Sequence, residues 1–532
     1  MSAAVRPDSV SANNPVTSTS VRATLAPLGL ALDLSEEEDY TGFLAGGWEE
    51  WNKVLAMDDY VPLVDEARFP RTDVHRPSAE DNPHNAWAWK ARIEDTEARG
   101  GLLKGKTVAL KDNIGVKGVP CLLGTDYIQD WVPGVDATVV TRILEAGGTV
   151  LGKAVCENLS LWGTSGSSAT GPMDNVYAAG YSAGGSSSGT AVLVARGVVD
   201  LGVGGDQGGS IRMPAAKNGI VGLKPTWGLV PYTGVASLEA TLDNAGPMTR
   251  TVLDNALLLQ VIAGADGIDD RQQAGCPFPA DVPDYPAIAR TGIKGLRVGL
   301  LVEGFNHPGG HDPRVSALVK RAAEQLLSLG AASVADVSVP MHLDANILWG
   351  TIGRLGGASA LRGHNGGRRG LALNDLADKM APVRQEAFGH LFPSTKNSFI
   401  NALWAGEHMP ASLVGKATNL VRKLKDEYVA ALGDVDVLLM PTIPFLPKPM
   451  VVATSTPAQL MANASGYTRN TSAFNLTGLP ALTIPVGFVP SDDDARISLP
   501  VGMQIVGKPY DEALLYRVGY AWEQAFDWKS FT

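Results

Sequence analysis

The sequence predicts an α/β protein, built on a large mixed and twisted β-sheet covered by helices on both faces and preceded by a helical N-terminal extension. Three observations lead there. After Gly105, short apolar runs alternate with glycine-stopped amphipathic stretches, the rhythm of strands feeding helices that pack back onto a sheet. One such stretch, Val315, Leu318, Val319, Ala322, Leu326 and Leu329, keeps a helical period between Asp312-Pro313 and Gly330. The chain has 532 residues, 45% apolar and 19% charged, enough to bury a sizeable core and typical of a folded protein.

Taken in order, residues 1–20 are rich in Ser, Val, Asn and Pro and lack an apolar core behind a basic start, so they read as a frayed terminus rather than a secretion signal. The apolar run from Ala23 to Leu34 holds Pro27 and Gly29 and falls short of the roughly 20 apolar residues that span a bilayer. From Ser35 to about Asp95 the chain is acidic and aromatic (Trp48, Trp51, Trp87, Trp89), with Ser35 and Glu38 spaced as a capping box. Residues 1–95 are expected to form a tail and helical extension that packs on the body or makes a dimer contact. Residues 96–532 are expected to form the main domain. Thr107 to Leu110 reads as a strand ending at Lys111, Ala137 to Ala146 as a helix stopped by Gly147-Gly148, and Thr149 to Gly152 as the next strand. Thr190 to Ala195 is an apolar helix, Val198 to Val203 a buried strand and Gly204 to Ser210 a glycine-rich turn. Leu296 to Val302, Ser333 to Val339 and Val435 to Met440 complete the strand set. Residues 355–430 break the rhythm with Gly-rich and basic patches (Arg362, Arg368, Arg369), expected as a helical insertion or lid.

The formal net charge of −11 argues against a nucleic-acid partner, whose phosphates attract Lys/Arg-rich faces. Cys121, Cys156 and Cys276 are too few and too scattered for a disulfide framework or a metal cluster. No metal and no cofactor are expected, and the setting read from this is a reducing cytoplasm.

Two stretches carry chemistry: Gly184-Gly185-Ser186-Ser187-Ser188-Gly189 and Asp206-Gln207-Gly208-Gly209-Ser210-Ile211-Arg212. Glycines bring backbone N–H groups close to a ligand, so phosphate cradling is one use. The phosphate loop, however, ends in Gly-Lys-Ser/Thr, and Gly189-Thr190 has no lysine between. The letters Gly-x-Ser-x-Gly fit around Ser187, but no apolar strand runs into that turn as the nucleophile elbow requires. In the second stretch the N–H groups of Gln207, Gly208, Gly209 and Ser210 are candidates to converge on a developing oxyanion. A serine nucleophile needs a base. His75, His84, His307, His311, His342, His364, His390 and His408 all lie outside residues 100–300, so none is adjacent to these motifs. Lys111, at an apolar strand end, is the alternative, because burial lowers a lysine's pKa toward a usable range.

Taken together these residues resemble the amidase signature family. The pattern reads Lys111-Asp112-Asn113, Gly184 to Ser187, and Asp206 to Arg212 followed by Pro214, with a family-like spacing between Ser186 and Ser210. The resemblance covers roughly residues 80–532. It includes Gly222-Leu223-Lys224-Pro225-Thr226, Met440-Pro441-Thr442-Ile443-Pro444, Thr477 to Ala481 and Leu499 to Gly507, and is nearest the branch of bacterial amidases associated with nitrile metabolism. It implies Ser210 as nucleophile, Ser186 as a relay serine on a cis peptide bond, and Lys111 as base, with Ser187, Asp206 and Arg212 as supporting groups. Leu161 and Trp162, ahead of the serine loop, are candidates to wall an acyl pocket. Ala154-Val155-Cys156 departs from the Thr-Asn-Met of many relatives, so their detailed substrate contacts are not carried over. The implied function is hydrolysis of a small amide by a stand-alone homodimer, with no membrane or nucleic-acid partner. A carbamate hydrolase, an amidotransferase subunit that works on glutamyl-tRNA and a silent anion-binding protein are the competing readings.

Overall fold

The computed structural model describes residues 10–531 apart from 129, 364–366, 382 and 452–454. The chain divides into two units, Met1–Pro62 and Leu63–Thr532.

The first unit holds helices Ser18–Leu25 and Glu37–Leu55. A capping box does form, but at Thr17 and Ser20 rather than at Ser35 and Glu38. Ser35 instead donates to its neighbour Asp33 Oδ1 at 2.8 Å, and the long helix starts at Glu37 without a side-chain cap. Glu37, Glu38 and Asp39 in its first turn complement the helix dipole.

The second unit carries one twelve-stranded sheet. Its strands are β1 Thr72–His75, β2 Trp87–Ile93, β3 Thr107–Lys111, β4 Thr149–Ala154, β5 Leu201–Asp206 and β6 Val221–Lys224. They continue with β7 Asn244–Thr249, β8 Arg297–Leu301, β9 Ser333–Val337, β10 Val437–Pro441, β11 Ala481–Pro490 and β12 Ser498–Val506. The order is β1-β2-β4-β3-β5-β7-β6-β11-β12-β10-β8-β9. Parallel pairs β4/β3/β5 and β10/β8/β9 flank an antiparallel centre, so the sheet is mixed.

Residues 63–95 differ from expectation. Trp87 to Ile93, carrying two tryptophans and a terminal isoleucine that suit a pleated strand, pairs with β4 and extends the sheet, so the extension ends at Pro62 and not near 95. The helix from Pro313 closes in a 3-10 turn, Gln325–Leu329, and Asp312 caps its start. Gly204 to Asp206, expected in the turn, continue β5 by pairing with Asn244 to Gly246.

Period-two alternation explains the two covered faces. Val108 and Leu110 of β3 face one cluster with Ile143, Leu258 and Leu259, while Ala109 between them joins another with Val192 and Leu193 of helix Ser188–Ala195. Between β9 and β10 the chain runs through helices His342–Ala360, Asn374–Met380, Gln385–His390, Pro393–His408 and Ser412–Asp434. Among the described residues no helix is long and apolar enough to cross a membrane.

Candidate active site

β3 and β5 run parallel in register, Leu110 opposite Val203, so both deliver their C-terminal residues, Lys111 and Asp206, to the same edge. The serine loop approaches that edge over β5. A Cβ on Gly204 would lie 3.0 Å from Ser187 Oγ and 2.7 Å from Met248 Sδ, so the bare backbone there admits the start of helix Ser188–Ala195. Ser187 fixes the approach: its Oγ donates to Gly205 O at 3.1 Å and accepts from Gly205 N–H at 3.2 Å, while its own N–H donates to Ser210 O at 3.2 Å.

Lys111 is fully buried. Its Nζ donates to Ser186 Oγ at 2.7 Å and to Gly205 O at 3.3 Å. Burial lowers its pKa to about 8, against the opposing pull of nearby anionic groups. The Gly185–Ser186 peptide bond is cis. Ser186 O accepts the N–H of Glu157 at 3.2 Å. Burial pushes the Glu157 carboxyl up to about 7, while Ser167 N–H and Oγ donate to its Oε2.

The second turn is organised by Asp206. Its carboxylate accepts from Gly209 N–H at 2.7 Å, Ile211 N–H at 3.0 Å and the Arg212 guanidinium at 2.9 and 3.0 Å. Burial alone would raise its pKa, but the guanidinium and these N–H groups hold it well below the usual carboxylate range. Arg212, itself fully buried, also donates to Thr471 O, Gln504 Oε1 and Asn475 Oδ1, so both charges are paired and hydrogen-bonded. Gly209 takes φ +134°, and a Cβ there would sit 2.4 Å from Thr471 Oγ1, so the turn requires glycine.

This bonding corrects one expectation. The Gly209 N–H is bound to Asp206 and is not available to an oxyanion. The N–H groups of Gln207, Gly208 and Ser210 meet no protein acceptor among the described residues. Their carbonyls are restrained instead: Trp349 Nε1 donates to Gln207 O at 2.6 Å and Thr471 Oγ1 to Gly208 O at 2.5 Å.

Ser210, 6% exposed, opens into a cavity of about 290 Å³. Leu161 and Trp162 line it, with Met213, Leu238, Leu242 and Trp349. A larger groove of about 670 Å³ among helices His342–Ala360, Pro393–His408 and Ser412–Asp434 lacks the serines and the lysine. Ser186 and Ser210 share no hydrogen bond in this structure, although each is tied to the Ser187 and Gly205 frame. No histidine lines the cavity among the described residues, and His364 lies outside them. His342 is buried against Tyr428 and Asn470, with its pKa lowered to about 4 by burial. Among the described residues there is no group of His, Cys, Asp and Glu able to hold a metal ion.

Sequence reasoning missed Glu157, Trp349, Thr471, Asn475 and Gln504. Gln504 lies in the Leu499 to Gly507 segment that carries part of the resemblance, but nothing in its residue type marks it as an Arg212 partner. Trp349 precedes the segment expected as a lid.

The Amidase family model matches residues 70–516. An enantioselective amidase from Rhodococcus rhodochrous is 41% identical over 492 residues, covering 90% of this chain and 91% of the relative. A glutamyl-tRNA(Gln) amidotransferase subunit from Myxococcus xanthus is 36% identical over 446 residues, covering 82% of this chain and 87% of the relative. Among solved structures, the native peptide amidase of Stenotrophomonas maltophilia has a TM-score of 0.66 and 31% identity over 81% of this chain and 84% of its own. A bacterial aryl acylamidase, with a TM-score of 0.70 and 24% identity over 84% of this chain and 90% of its own, shares the fold. With the family model spanning the sheet and both serine turns, the chain belongs to the amidase signature family and is a hydrolase of amide bonds.

Proposed function

We propose that the protein hydrolyses small amides with an apolar acyl group through an acyl-enzyme on Ser210, using Ser186 and Lys111 as the proton relay. The observation that carries this reading is the 2.7 Å contact between a fully buried lysine amine and the Ser186 hydroxyl, one loop away from a serine that opens into a cavity. With Lys111 neutral, the Ser186 hydroxyl donates to Nζ and its oxygen accepts the Ser210 proton. That last contact must close when substrate enters, as catalytic hydrogen bonds commonly tighten in the complex. Ser210 Oγ then attacks the carbonyl carbon, and the oxyanion meets the N–H groups of Gln207, Gly208 and Ser210. Collapse of the adduct expels the amine, which takes the relayed proton, and leaves the acyl ester. Water attacks that ester by the same relay in reverse, releasing the carboxylate and restoring Ser210.

Leu161, Trp162, Leu238, Leu242 and Trp349 favour aliphatic or aromatic acyl groups. Carbamates present the same carbonyl geometry and fall within the proposal. The chain is proposed to act as a homodimer, supported by an exposed apolar face on helix Glu37–Leu55.

The test is turnover of a panel of aryl and alkyl amides, with labelling by a fluorophosphonate. The parent releases amine and is labelled on Ser210, whereas Ser210→Ala loses roughly a thousandfold or more in kcat and all label at that position. Parental turnover in Ser210→Ala would overturn the assignment.

A further inference from the structure

Opposite Leu110 on the neighbouring strand lies another buried lysine, to which the proposed hydrolysis gives no part. Lys153 on β4 and Cys121, in the loop after β3, are 0% and 3% exposed, and Lys153 Nζ lies 2.7 Å from Cys121 Sγ. Another nitrogen–sulfur contact in the chain, Gln272 Nε2 to Cys276 Sγ, spans 3.5 Å. A separation as short as that at Lys153 is what nitrogen and sulfur keep when both are bonded to one oxygen atom.

The nearby carboxylate makes the same point independently. Asp112 Oδ2 accepts the N–H groups of Leu122 and Leu123, each at 2.8 Å. Its buried Oδ1 has no hydrogen-bond partner, and Lys153 Nζ stays 3.5 Å away from it. A buried ammonium facing a carboxylate normally closes to a charge-assisted contact of about 2.7–2.9 Å. Here the amine leans toward the sulfur and leaves the carboxylate oxygen open.

We propose that Cys121 and Lys153 are the two ends of an oxidative cross-link, a covalent N–O–S bridge formed with dioxygen. The bond changes balance. One N–H bond, the S–H bond and the O–O bond break, N–O and O–S bonds form, and the second oxygen leaves as water. Four electrons pass from nitrogen and sulfur to the two oxygen atoms. Starting from the lysine ammonium, one further proton is released, and Asp112 Oδ1 is placed to receive it. Burial already raises the Asp112 pKa, so the protonated acid is favoured once its countercharge is gone. Two equivalents of a dithiol reverse the reaction, returning amine, thiol and water.

The bridge joins segments that serve the site. Asp112 follows Lys111 directly, and Leu123 O accepts the N–H of Leu159, which leads into the cavity wall at Leu161 and Trp162.

The test uses the full-length protein, purified with reductant and then held in air-saturated buffer. The expected result is a mass gain of about 14 Da, one oxygen in and two hydrogens out, cancelled by dithiothreitol. Trypsin then fails to cleave after Lys153, and the peptides holding Cys121 and Lys153 are recovered joined. Cys121→Ser removes the gain, while Cys156→Ser, which deletes another buried thiol of the same region, retains it. Recovery of separate peptides after aeration overturns the proposal. So does oxygen carried by Cys121 alone, a gain of about 16 or 32 Da with Lys153 still cleavable. Because the readout is mass, it stands apart from any test of amide turnover.

Discussion

At the scale of single residues, the decisive fact is the cost of keeping Lys111 charged where it lies. Desolvation lowers its pKa to about 8, so at neutral pH the amine is still mostly protonated. In the proposed role of base it must be neutral, so kcat/KM is expected to rise as pH rises and to level off above about 8. A pH–rate series on a neutral amide checks this, and a profile flat from roughly pH 6 to 9 would contradict it. Lys111→Arg sharpens the comparison, since a guanidinium stays charged across that range. The variant should lose about 10²–10⁴-fold in turnover, with no recovery at the alkaline end. The strand end at Lys111 was legible in the sequence because the run before it is apolar. Glu157 was not, because its contact with Ser186 runs through its backbone N–H, which any residue type except proline could supply.

At the scale of elements, the turn after β5 is held by the buried Asp206–Arg212 charge pair. Asp206 gathers Gly209 and Ile211 N–H and the Arg212 guanidinium, and thereby sets the direction of the neighbouring Gln207, Gly208 and Ser210 N–H groups. Asp206→Ala strands the buried Arg212, a change that typically costs about 3–5 kcal/mol. Urea unfolding should show that loss, and turnover should fall further than stability alone requires because the N–H groups lose their frame. A variant of parental stability would mean that Asn475, Gln504 and Thr471 O suffice to hold Arg212. The spacing Asp206 to Arg212 was visible in the chain. Its partners were not, since Asn475 and Gln504 lie 263 and 292 residues away along the sequence.

At the scale of the whole molecule, the helix Glu37–Leu55 leaves Tyr40, Phe43, Trp51, Val54 and Leu55 exposed, and helical spacing puts them on one face. An exposed apolar stripe of this kind marks an association surface. The chain should sediment as a dimer, and Trp51→Glu with Leu55→Glu should yield a folded monomer by the same measurement. A parental protein that sediments as a monomer would refute the proposal. The sequence by itself determined the α/β alternation, the strand ending at Lys111 and the two serine turns, because each is written in local periodicity and turn chemistry, whereas it stopped the next strand at Val203, short of its end at Asp206. It misread Trp87 and Trp89 as helical, since an aromatic run next to an acidic helix has no local signal that separates the two states. Only the tertiary structure decided that β3 and β5 lie side by side, that Asn475 and Gln504 hold Arg212, and that Trp349 reaches Gln207 O. Those are contacts between distant segments, fixed by packing and by the pairing of buried polar groups, and no short window along the chain contains both partners.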